Sequence, residues 1–232
     1  DLDFLKKNIS NHTKAIIINS PNNPTGYSIP EDKFYEIVEI AEAKNIVIFS
    51  DEVYRLLEYN QQDRLPAMCD IYKKGISLGV MSKSFGLAGL RIGWIVTRDR
   101  SLLAKIASFK DFTTICNSAP SEFLSILALK HKEYIIKRNL EIILRNLDQL
   151  DLCFKKYTVF FKWIKPNAGS LIFPRLKLGW DAEEFCLDLV NKKGVLLLPS
   201  NKYNYDNRHV RIGFGRRNLP EALKKLAEYL DK

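Results

Sequence analysis

The chain has 232 residues, 46% of them hydrophobic and 27% charged, a composition that excludes a disordered or collagen-like polypeptide and suits one large domain or two modest ones. Thirty-six Lys and Arg against 27 Asp and Glu give a net charge of +9. The bases alternate with acids, as where Glu133 and Glu141 stand among Lys132, Lys137 and Arg138, so a solvated helix face is expected rather than a nucleic-acid-binding stripe.

No apolar run approaches the roughly 18 residues of a membrane helix, so no membrane span is expected. Cys69, Cys116, Cys153 and Cys186 lie more than thirty residues apart, and His12, His131 and His209 stand alone. Neither a zinc ribbon, a dense disulfide scaffold nor an HExxH centre fits; no metal site is expected, and the setting reads as reducing and cytoplasmic.

The first element with a clear signal is the β-branched run Lys14 to Asn19, stopped by the turn-forming cluster Ser20-Pro21-Asn22-Asn23-Pro24-Thr25-Gly26. Ser28 and Glu31 stand at capping-box spacing, with Pro30 between them at a first-turn position, and Phe34, Ile37, Val38, Ile40 and Ala41 recur at helical spacing to about Asn45. Ile46 to Phe49 follows as a strand, so a parallel pair joined by a right-handed crossover is expected. Gly75 to Met81 and Leu90 to Val96 read as further strands, apolar enough for a sheet covered on both faces. The chain up to residue 131 is one α/β unit.

Tyr134, Ile135, Leu140, Ile143, Leu144 and Leu147 mark a long helix from Lys132 to about Tyr157, where the domain boundary is drawn. Beyond it come strands at Val159 to Ile164, Ser170 to Pro174, Val195 to Leu198 and His209 to Phe214, with helices at Ala182 to Lys193 and Pro220 to Leu230. Residues 132–232 therefore form a smaller α+β domain.

In open α/β sheets the ligand crevice lies beyond the carboxyl ends of the parallel strands. The first strand runs toward Asn23, the second into Ser50-Asp51-Glu52 with Tyr54 close behind, and the third into Ser82-Lys83. Taken singly, Lys83 reads as a surface cation, Asp51 as a helix cap, Asn23 as a turn former and Tyr54 as a packed aromatic. Their order and spacing favour convergence on one ligand.

Asn22-Asn23-Pro24-Thr25-Gly26, Ser50-Asp51-Glu52-Val53-Tyr54, the block Ser82-Lys83-Ser84-Phe85-Gly86-Leu87-Ala88-Gly89-Leu90-Arg91-Ile92-Gly93, and Arg211-Ile212-Gly213-Phe214 follow one another in this chain. In that order they resemble the signatures of the pyridoxal-phosphate-dependent aminotransferases of fold type I, class I/II. Asn-Pro-x-Gly alone is weakly specific; the lysine block with its arginine eight positions on is strongly so. The resemblance implies that the first 131 residues are part of the large cofactor-binding domain, with a mainly parallel sheet, and that the cofactor is pyridoxal 5'-phosphate. It implies a homodimer that moves an amino group from an amino acid to a 2-oxo acid. It makes Lys83 the imine-forming lysine and proton shuttle, Asp51 the partner of the ring nitrogen, and Tyr54 and Asn23 the donors to the ring's phenolic oxygen. Arg91, with Ser82, would hold the phosphate, and Arg211 the substrate α-carboxylate, with Arg208, Arg216 and Arg217 as nearby alternatives. An enclosed cleft beside Arg91 is expected to depress the pKa of Lys83.

One position departs from that pattern: Val80 stands three residues before Lys83, where the family carries a small residue, often a phosphate-binding serine. The family also carries a segment ahead of the first strand seen here, with a phosphate-gripping loop, a ring-stacking aromatic and part of the dimer contact. None of that segment is in this chain, which therefore reads as a fragment or a divergent short form and should leave a sheet edge open. Two other functional classes fit the same residues. One is a lyase or decarboxylase using the same cofactor, since pocket shape selects the bond that breaks. The other is a non-catalytic aminotransferase-like fragment or effector domain.

Overall fold

The computed structural model describes residues 1–177 and 179–231. They form two compact units, one made of Asp1–Pro21 and Ser28–Ile136, the other of Asn22–Tyr27 and Lys137–Lys232.

The first unit opens with helix α1 (Leu2–Asn8), then strand β1 (Ala15–Asn19), helix α2 (Glu31–Ala43), strand β2 (Val47–Asp51), the short helix α3 (Met68–Ile71) and strands β3 (Gly75–Val80) and β4 (Gly93–Thr97). Helices α4 (Arg100–Asp111) and α5 (Ala119–Lys130) follow, then the start of α6 (Lys132–Lys156), whose residues from Lys137 on belong to the second unit. The sheet order is β1-β2-β3-β4. β1, β2 and β3 run parallel, with Asn19 beside Asp51 and Asp51 beside Leu78, whereas β4 returns antiparallel to β3.

Helix α2 buries Phe34, Ile37, Val38 and Ala41, the stripe its periodicity defines. They pack with Ile16, Ile46, Ile48, Met68 and Tyr72 as the core of this unit, and the Tyr72 hydroxyl donates to the Ile46 carbonyl at 2.7 Å. The expected capping box does not form. Pro30 is the N-cap and no side chain caps the helix; Ser28 is buried two residues upstream. The strand expected from Leu90 starts later, because Ala88–Leu90 closes a 3-10 turn and Arg91 then takes left-handed backbone, φ 55° and ψ 35°.

The expectation of strands covered on both faces holds for β3, which has no exposed residue, but not for β4 or for β1. Ile16 is 7% exposed but its neighbour Ile17 is 76% exposed, and Val96 on β4 is 45% exposed. The described elements of this unit cover one face of β1 only, while the apolar run continues on the other. Phe109, Phe112 and Phe123, on and beside α4 and α5, are likewise exposed.

The second unit contains β5 (Phe161–Lys162) paired antiparallel with β7 (Arg175–Leu176), and a sheet in which β9 (Val210–Gly213) lies between β6 (Leu171–Ile172) and β8 (Leu198–Pro199). Helix α7 (Ala182–Lys193) is capped by Asp181, whose carboxylate accepts from the Glu184 amide, and ends at left-handed Gly194. Helix α8 (Leu219–Leu230) is tied to α7 by the Lys193–Glu228 ion pair and by the Tyr229 hydroxyl on Asp188. The strands are shorter than the apolar runs suggest; Thr158 to Phe160, for instance, are spent on a turn before β5.

Asn146 on α6 is fully buried, and its amide donates to the carbonyls of Phe214 and Arg216, each at 2.7 Å, fixing the segment just beyond β9. Asn146→Ala leaves both carbonyls without this donor and should cost about 2–4 kcal/mol of stability. Chemical denaturation would show it, and an unchanged midpoint would remove this role from Asn146.

Candidate active site

Three parallel strands of the first unit end side by side at Asn19, Asp51 and Val80. Asp51 is the last residue of β2 and is half-buried; its carboxylate accepts from the Val53 amide at 3.2 Å. Burial pushes its pKa above the usual carboxylate range, while the Val53 hydrogen bond and the charge of Lys83 pull it back down. Asp51 and Lys83 are thus close enough to interact, and the Lys83 ammonium stands 5.8 Å from the centroid of the buried Tyr54 ring. The structure brings Asp51, Tyr54 and Lys83 together at one sheet end.

The acid next to Asp51 does different work. Glu52 is 9% exposed, and its Oε1 accepts from the Met68 amide at 2.9 Å and the Ser77 hydroxyl at 2.8 Å. It anchors the loop to α3 and β3 and leaves Asp51 as the acid near Lys83. Ser84 was not singled out from the sequence, yet its hydroxyl donates to the carbonyls of Val53 and Arg55, lacing the lysine loop to the loop after β2. Its only signal in the sequence is its place beside the lysine.

Lys83 is exposed within its unit, so the expected enclosing cleft is not formed by the described residues of that unit alone. Ser82 is half-buried just before it. Arg91 is exposed on the turn after Ala88–Leu90, and its guanidinium donates to the Ala88 carbonyl at 3.0 Å. Val80 ends β3 opposite Gly93, where a Cβ would come within 2.9 Å of the valine Cγ1. The larger residue at 80 is accommodated by the bare backbone across from it.

Asn23 and Arg211 meet in the second unit. Residues 22–27 form a tight turn in which the Thr25 hydroxyl donates to Asn22 Oδ1 at 2.6 Å. Gly26 has φ +70°, and a Cβ there would lie 2.5 Å from the Leu171 carbonyl oxygen. Seated against the residues around β6, the turn presents Asn23 Oδ1 to Arg211, which donates to it at 3.3 Å. The guanidinium carbon also stands over the Tyr203 ring, 5.8 Å from its centroid. Of the four arginines in this stretch, Arg208, Arg216 and Arg217 are exposed, and Arg211 is the half-buried one held by a side-chain acceptor and a ring. Among the described residues, no group of three or more His, Cys, Asp or Glu is placed to hold a metal, and no helix is long and apolar enough to cross a membrane.

The family model for aminotransferase class I and II matches residues 1–230. The chain belongs to that family. It is 26% identical over 227 residues to an aspartate aminotransferase of Thermotoga maritima, with 95% of this chain and 55% of that protein covered. Against the capreomycidine synthase of Streptomyces vinaceus it is 26% identical over 232 residues, covering 99% of this chain and 59% of the other. A crystal structure of a PLP-dependent aminotransferase from Streptococcus suis superposes with a TM-score of 0.93 at 34% identity, over 100% of this chain and 61% of that one. The chain thus spans between half and two thirds of the length of these proteins.

Proposed function

We propose that the chain forms part of a pyridoxal-phosphate-dependent aminotransferase that moves an amino group from an amino acid to a 2-oxo acid. The observation that carries this reading is the half-buried Asp51 carboxylate at the sheet end it shares with the Lys83 amine. A carboxylate whose pKa burial raises is incompletely compensated by its own surroundings, and a protonated heterocyclic nitrogen is the kind of partner it lacks. The donor set therefore fits the cofactor: an acid for a ring nitrogen, an amine for an aldehyde, a phenol for a ring oxygen and an arginine for a phosphate.

When bound, pyridoxal phosphate supplies an electron-withdrawing ring that takes up the charge left by a departing α-proton. Asp51 would face the ring nitrogen and favour its protonated form. Lys83 Nζ would hold the cofactor's aldehyde group and would serve as the base that moves the substrate's α-proton. Tyr54 would donate to the ring's phenolic oxygen, a role the family resemblance also gives Asn23, and Arg91 with Ser82 would hold the phosphate. Arg211 binds the substrate α-carboxylate through its planar fork. The first unit serves as part of the cofactor-binding domain and the second as the small domain, in a cytoplasmic homodimer for which the exposed apolar residues of α4 and α5 offer contact surface.

Borohydride reduction in the presence of pyridoxal phosphate, followed by peptide mapping, tests the assignment: the label should sit on Lys83, and label on another lysine would refute it. Arg211→Lys keeps the charge but loses the fork, so the substrate KM should rise roughly 10- to 100-fold with cofactor affinity unchanged. A KM within twofold of the parent would pass the role to another group. A second reading, a different reaction with the same cofactor, is favoured by the equal identity to a synthase and to an aminotransferase. Product analysis with and without 2-oxoglutarate separates the two.

A further inference from the structure

Two contacts hold Arg211 in the second unit, the Asn23 amide oxygen and the face of the Tyr203 ring. The ring is itself braced. Phe173 meets Tyr203 edge-on at 5.9 Å between centroids, and also stacks on the His209 imidazole at 5.0 Å and 15°. His209 Nδ1 lies 2.6 Å from Asp206 Oδ1, so the support continues through a polar pair. The Tyr203 hydroxyl is buried and has no hydrogen-bond partner among the described residues. A hydroxyl that earns nothing, on a ring seated under a guanidinium, indicates that the aromatic face is what matters at this position.

We infer that Tyr203 is a positioning residue for Arg211: its ring face, fixed by Phe173, holds the guanidinium plane in the attitude that receives a carboxylate. This rests on the proposal that Arg211 binds the substrate carboxylate. A cation over an aromatic face within about 6 Å contributes modestly but directionally, and losing it leaves the arginine free to sample poses with no carboxylate in reach.

The test uses the intact holoenzyme, with 2-oxoglutarate as the titrated carboxylate. Tyr203→Leu keeps an apolar side chain but removes the face. It should raise the calorimetric Kd and the KM roughly three- to tenfold while kcat stays within about twofold. Tyr203→Phe keeps the face and removes only the unpartnered hydroxyl, so it should match the parent in KM and melt at the same or a higher temperature. A parental KM in Tyr203→Leu, or a raised KM in Tyr203→Phe, overturns the inference, the latter because the hydroxyl would then be the working group. Arg211→Lys in parallel separates two failures. If it leaves KM unchanged, the carboxylate reading falls; if it raises KM and Tyr203→Leu does not, the positioning role alone falls.

Discussion

Lys83→Ala is expected to lose on the order of 10⁴-fold in turnover if, as proposed, this one side chain holds the cofactor's aldehyde and moves the substrate proton. Loss of fold would not explain the result. Lys83 is exposed and follows β3 in a loop secured by Ser84, so the substitution should shift stability by less than about 0.5 kcal/mol. Lys83→Arg serves as the companion variant. It restores a cation near Asp51 and over Tyr54 but provides no nucleophilic amine, so it should be as inactive as the alanine variant and show no absorbance band from an amine–aldehyde linkage. Activity within tenfold of the parent in either variant would remove Lys83 from the chemistry.

Asp51→Ala should reduce turnover roughly 10³-fold, the scale expected when a fixed charge aimed at a developing one is lost. The fold should survive, since the carboxylate accepts a single backbone hydrogen bond, from Val53, and its burial penalty vanishes with it. The pH dependence provides the sharper test. On the proposed reading the parent's carboxylate would keep the ring nitrogen protonated across the neutral range. Without it the nitrogen is protonated only by solvent, so the residual activity of Asp51→Ala should climb as pH falls, with a slope the parent lacks. A flat profile, or near-normal turnover, would mean that Asp51 does not hold that proton.

The positions of Asp51 and Lys83 were legible in the sequence where strand order decides them. Asp51 and Lys83 lie 32 residues apart, yet Asp51 ends β2 and Lys83 lies three residues past β3, and β2 and β3 are neighbours. That adjacency follows from short apolar runs separated by helix and turn signals. Local pattern could not show that the Asn22–Tyr27 turn packs with the second unit, because the contact of Gly26 with the backbone at Leu171 spans some 145 residues of chain and depends on tertiary packing. The same holds for the return of β4, where the left-handed residue at Arg91 reverses the direction of an apolar run that looks like its parallel neighbours. Tyr203 and Ser84 act through a ring face and through backbone carbonyls, and neither leaves a spacing to read.

The Ser84 hydroxyl ties the strand-end loops of β2 and β3 into a single piece at two carbonyls. The backbone that carries Lys83 is thereby fastened to the backbone that follows Asp51, so a substitution at Ser84 reaches both sides of the candidate site without touching either charged group.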